Sequence, residues 1–374
     1  MKKHVVLLLQ GGGALGAFQC GAWEAISRFI RDNNHELLAV AGASIGAINA
    51  GLIARHFHDG DDGVNALKEF WHDMVATPPA PFFPFPGGYW RAWNGLMTGL
   101  LLGNRRLFFP VYSNWTAVAD VFRFHMPPYR TDSTERTLAH AFGEYSGEEP
   151  LLAVGLTDVK TGEGVLFDSA SRQITAKLLA NCISIPIIFP PAEIDGRYYW
   201  DFEIRSDTLL PVVCELLHKR VRTRQAADNL LIIVVDMFHP ETKHPPTSTM
   251  ESHYRLVNIL LGERLKRDAA ALEAADAHLE TLERLHKLAA DEDLSSPLAA
   301  AVHEEYRKVQ ERQRARIELL HIGRSALPYE YISRDFDYSP QYLAHLAAQG
   351  FDNASSALKT YQETVFSEKR RSPV

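Results

Sequence analysis

Two stretches decide the fold: Val5-Val6-Leu7-Leu8-Leu9-Gln10-Gly11-Gly12-Gly13-Ala14-Leu15-Gly16 and Leu37-Leu38-Ala39-Val40-Ala41-Gly42-Ala43-Ser44-Ile45-Gly46-Ala47. Val5 to Leu9 is a short apolar run closed by glycines, the pattern of a strand buried on both faces. Phe18, Ala22, Ile26 and Phe29 or Ile30 then fall about four apart, which predicts a helix laying an apolar stripe on a sheet. Leu37 to Val40 repeats the strand, and Ile45 to Arg55 has the small and apolar residues of a buried helix. Strand, helix, strand, helix predicts a three-layer α/β fold with a mainly parallel central sheet.

Working outward, Leu151 to Leu156 and Val165 to Phe167 read as strands, and Ala192 to Ile194 with Arg197 to Trp200 flank Asp195-Gly196, the signal of a type I′ hairpin. Asp201 is therefore expected at a strand end. Leu230 to Val235 is a further apolar run of strand length. The breaker-rich stretch from His239 to Thr249 marks a boundary, giving a first domain over 1–245 and a mainly helical C-terminal extension over 246–374. Within the extension, Leu256 to about Ala290 and Pro297 to Leu320 are expected to form an antiparallel helical pair. Ser339-Pro340 is expected to cap a helix that docks the tail.

With 374 residues, 46% hydrophobic, the chain can bury a large core, which excludes a disordered protein. A net charge of −7 with scattered Lys and Arg lacks the basic footprint of a nucleic-acid binder. Cys20, Cys182 and Cys214 sit at unrelated spacings in apolar stretches, which suits reduced thiols rather than disulfides or a metal site. Lys2-Lys3 before Val5 to Leu9 is too short an apolar run for a signal peptide, and no stretch approaches the about 18 apolar residues of a spanning helix. A cytoplasmic protein is expected, peripheral at most at the inner face of a membrane.

Chemistry concentrates at the two opening stretches. Gly11 to Ala14, between a strand and a helix, leave backbone N–H groups uncovered at a helix N-terminus, where a negative oxygen is stabilised. Gly11, Gly13 and Gly16 also fit the dinucleotide fingerprint, but the acidic residue that a dinucleotide site wants at the end of the second strand is replaced by Ala43-Ser44. Gly42-Ala43-Ser44-Ile45-Gly46 is instead G-x-S-x-G at a strand-to-helix turn, whose flanking glycines permit an elbow that presents a serine nucleophile. Turn and cap roles account for the same residue types. Serine needs a base. Asp201 is the candidate, Glu203 and Asp207 rank below it, and His218, His239 and His253 follow in the order of an ordinary Ser-Asp-His triad.

Taken together, LLLQGGGALGAFQCG over Leu7 to Gly21 and AGASIGAINA over Ala41 to Ala50 resemble the glycine-rich oxyanion motif and nucleophile elbow of the patatin-like phospholipase family. The similarity extends over roughly Val5 to Asp236. It implies a serine lipid acyl hydrolase using a Ser44-Asp201 dyad, with Gly11, Gly12, Gly13 and Ala14 at the oxyanion hole, Gly42 and Gly46 at the elbow, and neither metal nor organic cofactor. After Asp201 the family has glycine and then glycine or alanine, whereas this chain has Phe202 and Glu203, so a catalytically impaired scaffold or lipid-binding protein is the alternative. The aromatic and apolar stretch over 77–112 is read equally as a wall for acyl chains or membrane contact and as ordinary core packing.

Overall fold

The computed structural model describes residues 2–111, 127–147, 150–205, 207–221, 230–239, 241–242, 244–291, 297–311 and 317–371. Strand β1 (His4–Leu9) leads through the glycine loop into α1 (Gly16–Asp32), and β2 (Glu36–Ala43) leads through Ser44 into α2 (Ile45–His56). Next come β3 (Leu151–Asp158), β4 (Gly164–Asp168), the hairpin β5 (Ala192–Ile194) and β6 (Arg197–Asp201), α3 (Leu210–Val221) and β7 (Leu230–Asp236). The chain closes with α4 (Thr249–Asp291), α5 (Pro297–Glu311), β8 (Ile317–Gly323) and α6 (Pro340–Arg371). Asp195 and Gly196 both have positive φ, as a type I′ turn requires.

These eight strands form one sheet in the order β8-β7-β1-β2-β3-β6-β5, with β4 on the free edge of β3. The five strands from β8 to β3 are parallel. Alternation along β1 defines the layers. Val5, Leu7 and Leu9 face a core shared with α1, α2 and α6, whereas Val6 and Leu8 face one shared with α3 and α4. Both faces of the central strands are thus covered by helices, the burial expected of a parallel sheet.

The C-terminal stretch is more mixed than its composition suggests. α4 and α5 do fold back on one another, with the His286 ring stacked on Tyr306 and bonded to His303. The second helix ends at Glu311, however, and Ile317 to Leu320, read from sequence as helix, belong to β8 and extend the sheet beside β7. The misreading has a physical cause. β8 is a half-buried edge strand whose Ile317 and Leu319 face one core and Leu320 and Ile322 the other, so its Glu, Leu and His content mimics a helix face. Beyond it, α6 lies against α1 at a backbone-to-backbone approach. A side chain at Gly21 would collide with the Ala347 carbonyl and one at Gly350 with the Phe18 carbonyl, so only glycine fits at either place. Among the described residues, no helix is long and apolar enough to cross a membrane.

Candidate active site

Register brings the two catalytic candidates together. Along one edge of β3, β2 ends with Ala43 beside Gly155, and β6 arrives from the opposite direction with Asp201 beside Leu156, the next residue. β4 occupies the other edge through the same span, so β2 and β6 meet nearly end to end. Ser44 and Asp201 thereby converge at the mouth of the sheet, both buried, at 4% and 0% exposure.

Ser44 stands in a left-handed conformation at φ 53° and ψ −132°, directly before α2. That backbone is rare for a non-glycine residue and has the strain expected of a sharp strand-to-helix elbow. The flanking glycines are required sterically. A Cβ on Gly42 would meet the Gly46 carbonyl, and one on Gly46 would lie 2.6 Å from the Gln10 carbonyl, so elbow and glycine loop are in backbone contact.

The glycine loop is anchored from below by a buried polar chain. Gln19 Nε2 donates to the Gln10 carbonyl at 2.6 Å, Asn49 Nδ2 donates to Gln19 Oε1 at 2.8 Å and to the Gly16 carbonyl at 3.0 Å, and Trp71 Nε1 donates to Asn49 Oδ1 at 3.0 Å. A satisfied buried network of this kind fixes geometry. Above it, Gly11, Gly12 and Gly13 line the same cavity as Ser44, whereas Ala14 is buried in the helical turn behind them. The N–H groups of Gly12 and Gly13 have no acceptor among the described residues. Gly11 differs: its N–H donates to Glu203 Oε1 at 2.7 Å.

Asp201 is held by three backbone contacts. Its N–H donates to the Ser184 carbonyl at 2.9 Å, its carbonyl accepts from Thr157 Oγ1 at 3.3 Å, and its Oδ1 accepts the Glu203 N–H at 2.9 Å. Oδ2 has no hydrogen bond of standard geometry, yet the Ser44 hydroxyl is near enough to favour the carboxylate, so the pair is adjacent but loosely aligned. Catalytic pairs commonly tighten only when substrate is bound. Burial, and after it the charge of Glu203, push the Asp201 carboxyl up from 3.8 to about 7, against the opposing pull of the Glu203 N–H, Ser44 and Arg264. A carboxyl in that range can take a proton at neutral pH and still ionise.

Phe202 and Glu203 do not disrupt this arrangement, because Phe202 to Ile204 form a 3-10 turn capped by Asp201 in which neither residue has positive φ. The turn is clamped by α4. Arg264 donates to the carbonyls of Glu203 at 3.1 Å and Arg205 at 2.8 Å and pairs with the Glu203 carboxylate, while Asp268 Oδ2 accepts from Thr208 N at 2.7 Å and Oγ1 at 2.8 Å. Neither Arg264 nor Asp268 is singled out by sequence reasoning. Their one signal is a pair of opposite charges four apart, on what proves to be the buried face of an amphipathic helix.

Residues 7–208 match the family described as patatin-like phospholipase. The chain belongs to that family. Among solved structures it is similar to VipD from Legionella pneumophila, at 14% identity over 96% of this chain and 67% of that one, with a TM-score of 0.34. It is also similar to the ExoU–SpcU complex from the type III secretion system of Pseudomonas aeruginosa, at 12% identity over 99% and 78%, with a TM-score of 0.23. A comparison with curated proteins finds no match. As a patatin-like phospholipase the chain belongs among lipid hydrolases, and its cavity suits such a role. About 260 Å³ in volume, the cavity opens over Ser44 and is walled by Leu107, Phe108, Ile183, Ile188, Phe189 and Leu261, with Phe238, Arg334 to Phe336 and Tyr338 completing it.

Other candidates fall elsewhere. Asp207 pairs with Arg205 at 2.8 Å and does not reach the cavity. His239 hydrogen-bonds Tyr254 in a separate polar cavity, where burial lowers its pKa, His253 is exposed, and the side chain of His218 lies outside the described residues. Among the described residues lining the Ser44 cavity there is no histidine. Of the 77–112 stretch, Leu107 and Phe108 line the cavity, Phe83 packs on Trp90 at 5.3 Å, and Phe82 and Phe85 are exposed; Tyr112 lies outside the described residues.

Proposed function

We propose that this protein hydrolyses carboxylic ester bonds of lipids with Ser44 as nucleophile and Asp201 as base. One observation carries the reading. A serine held in a strained elbow and lining an apolar cavity stands beside a fully buried carboxyl that keeps one oxygen uncommitted and whose pKa is drawn up to about 7. As Ser44 Oγ bonds to the ester carbonyl carbon, its proton passes to Asp201. The resulting oxyanion is held by the Gly12 and Gly13 N–H groups of the glycine loop that leads into α1, where each such donor contributes about two to three orders of magnitude in rate. Cleavage of the ester C–O bond sends the proton from Asp201 to the leaving alkoxide. Water, deprotonated by Asp201, then attacks the acyl-Ser44 ester, and as the C–O bond to Ser44 breaks the proton passes from Asp201 to Ser44 Oγ and the fatty acid leaves.

A second reading has its own observation. Glu203 occupies the Gly11 N–H and places a second carboxylate beside the dyad, which favours an impaired scaffold that binds lipid without turnover. Labelling the folded protein with a fluorophosphonate probe separates the two. Wild-type labelling and hydrolysis of short- and long-chain esters, both lost in Ser44→Ala and with turnover lost in Asp201→Asn, supports the hydrolase. Absence of labelling and turnover in folded wild-type protein leaves the binding scaffold.

A further inference from the structure

The loop Ile183-Ser184-Ile185-Pro186-Ile187-Ile188-Phe189-Pro190-Pro191 contributes four residues to the cavity wall and holds the most exposed large apolar side chain in the fold among the described residues. Ile187 is 82% exposed and sits at φ 72°, a left-handed backbone that a β-branched residue adopts only under constraint. The constraint is visible. Phe189 N–H donates to the Ile185 carbonyl at 2.9 Å, closing a turn with Ile187 inside it, while Pro186 and Pro190-Pro191 stiffen its two sides. The base of the loop is bonded to the catalytic strand through the Asp201 N–H on the Ser184 carbonyl. Ile183, Ile185, Ile188 and Phe189 line the cavity; of the loop's isoleucines and its phenylalanine only Ile187 does not. Ile204, from the turn after Asp201, is also a lining residue and is 44% exposed, as Ile185 is at 38%.

A constrained turn that exposes Ile187 beside an apolar cavity, with Ile185 and Ile204 also exposed and lining it, groups apolar surface at one place, the pattern of an interaction site rather than of isolated surface residues. We propose that Ile187 is an interfacial anchor: it inserts into the acyl layer of a lipid surface and, with Ile185 and Ile204, seats the cavity mouth on it. The proposal rests on the lipid-hydrolase reading only in taking the cavity to receive its ligand from that surface. The chain carries a net charge of −7, so attraction to anionic headgroups does not supply the affinity, and the partner that fits is a zwitterionic bilayer entered by apolar contact.

The test is partition of full-length Ser44→Ala protein onto phosphatidylcholine vesicles, a binding measurement that needs no turnover. Adding Ile187→Ser should weaken partition about tenfold, as expected for withdrawing one large aliphatic side chain from the acyl layer. Phe85→Ser, at an exposed aromatic of the 77–112 stretch, should leave partition unchanged, and so should raising the salt to 1 M. With Ser44 intact, Ile187→Ser should hydrolyse a soluble short-chain ester at the wild-type rate. A single Trp fluorophore introduced as Ile187→Trp, after replacing the native tryptophans with phenylalanine, should shift to the blue on vesicle addition. Absence of vesicle binding by the parent, binding that Ile187→Ser leaves intact, or binding that Phe85→Ser alone weakens or that salt abolishes, overturns the anchor. Failure of soluble ester hydrolysis in wild-type protein overturns the hydrolase instead.

Discussion

Asp201→Asn separates a catalytic base from an aspartate that merely caps a turn. Both roles use Oδ1 on the Glu203 N–H, and asparagine can keep that bond through its own Oδ1. Only the base requires a charge on Oδ2, in a place where burial opposes it. Since the folded-state pKa is raised, Asp201 contributes its full stability below the unfolded pKa, near 3.8, and that contribution is lost as the pH rises through about 7. The shift, 7 minus 3.8, is about 3 units, and at about 1.4 kcal/mol per unit the loss amounts to about 4 kcal/mol at pH 8. At pH 5, where the folded carboxyl is still protonated and the unfolded one is not, it is about 2 kcal/mol. Asparagine stays neutral throughout. Asp201→Asn is therefore expected to be inactive and yet more resistant to urea than wild type, by about 4 kcal/mol at pH 8 and about 2 kcal/mol at pH 5, an active-site stability trade-off of the usual sign. Equilibrium urea unfolding at the two pH values measures it. A variant that is less stable than wild type, or whose gain does not depend on pH, refutes the raised pKa, and one that keeps wild-type turnover returns Asp201 to a capping role.

Three further outcomes follow from the same geometry. Glu203→Gln removes the neighbouring negative charge while its amide oxygen can still accept the Gly11 N–H, so the acid limb of kcat/KM should move down from near pH 7 by about one unit; a limb that stays put means the two carboxyls do not interact. Gly11→Ala places a Cβ 2.5 Å from Ser44 Cβ and 2.7 Å from Glu203 Cγ, and should lower turnover at least about a hundredfold with the circular dichroism spectrum retained, whereas near-normal turnover would show that the elbow and loop can part freely. Glu330→Gln leaves the buried Arg324 guanidinium without its counter-charge and should cost about 3–5 kcal/mol in urea unfolding, with a cost under about 1 kcal/mol indicating that water reaches the pair.

How much of this was legible depended on how local the signal is. Strand β1 with its glycine loop, β2 with its serine elbow, and the Asp195-Gly196 hairpin ending at Asp201 each carry their meaning within about ten residues, and the structure places all three at one site. β8 was not legible, because a half-buried edge strand of mixed composition has neither clean alternation nor continuous apolarity. The cavity walls were legible only in part. Leu107 and Phe108 belong to an evident apolar stretch, but Leu261 and the Arg334 to Tyr338 segment arrive from far along the chain by tertiary packing that no local pattern encodes. The polar chain of Gln19, Asn49 and Trp71 left a faint trace, two amides on otherwise apolar helix faces.

The residues after Asp201 show most clearly why a motif must be judged with its surroundings. Glycine is needed where a backbone enters the left-handed region or passes too close to a neighbour. Here the chain instead turns through a 3-10 helix of ordinary dihedrals, so Phe202 is free to bury its ring at 1% exposure in the core beneath the sheet. Glu203 has exchanged conformational freedom for contacts, reaching the Gly11 N–H on one side and Arg264 on the other. Because Arg264 and Asp268 belong to α4, the stretch after residue 245 holds the turn after Asp201 in place as well as extending the sheet, and the cavity that opens over Ser44 is closed partly by the same stretch. A shortened chain ending before α4 would keep both motifs and lose the clamp on the turn after Asp201, so the geometry that sets Ser44 beside Asp201 belongs to the whole fold rather than to the segment that carries the motifs.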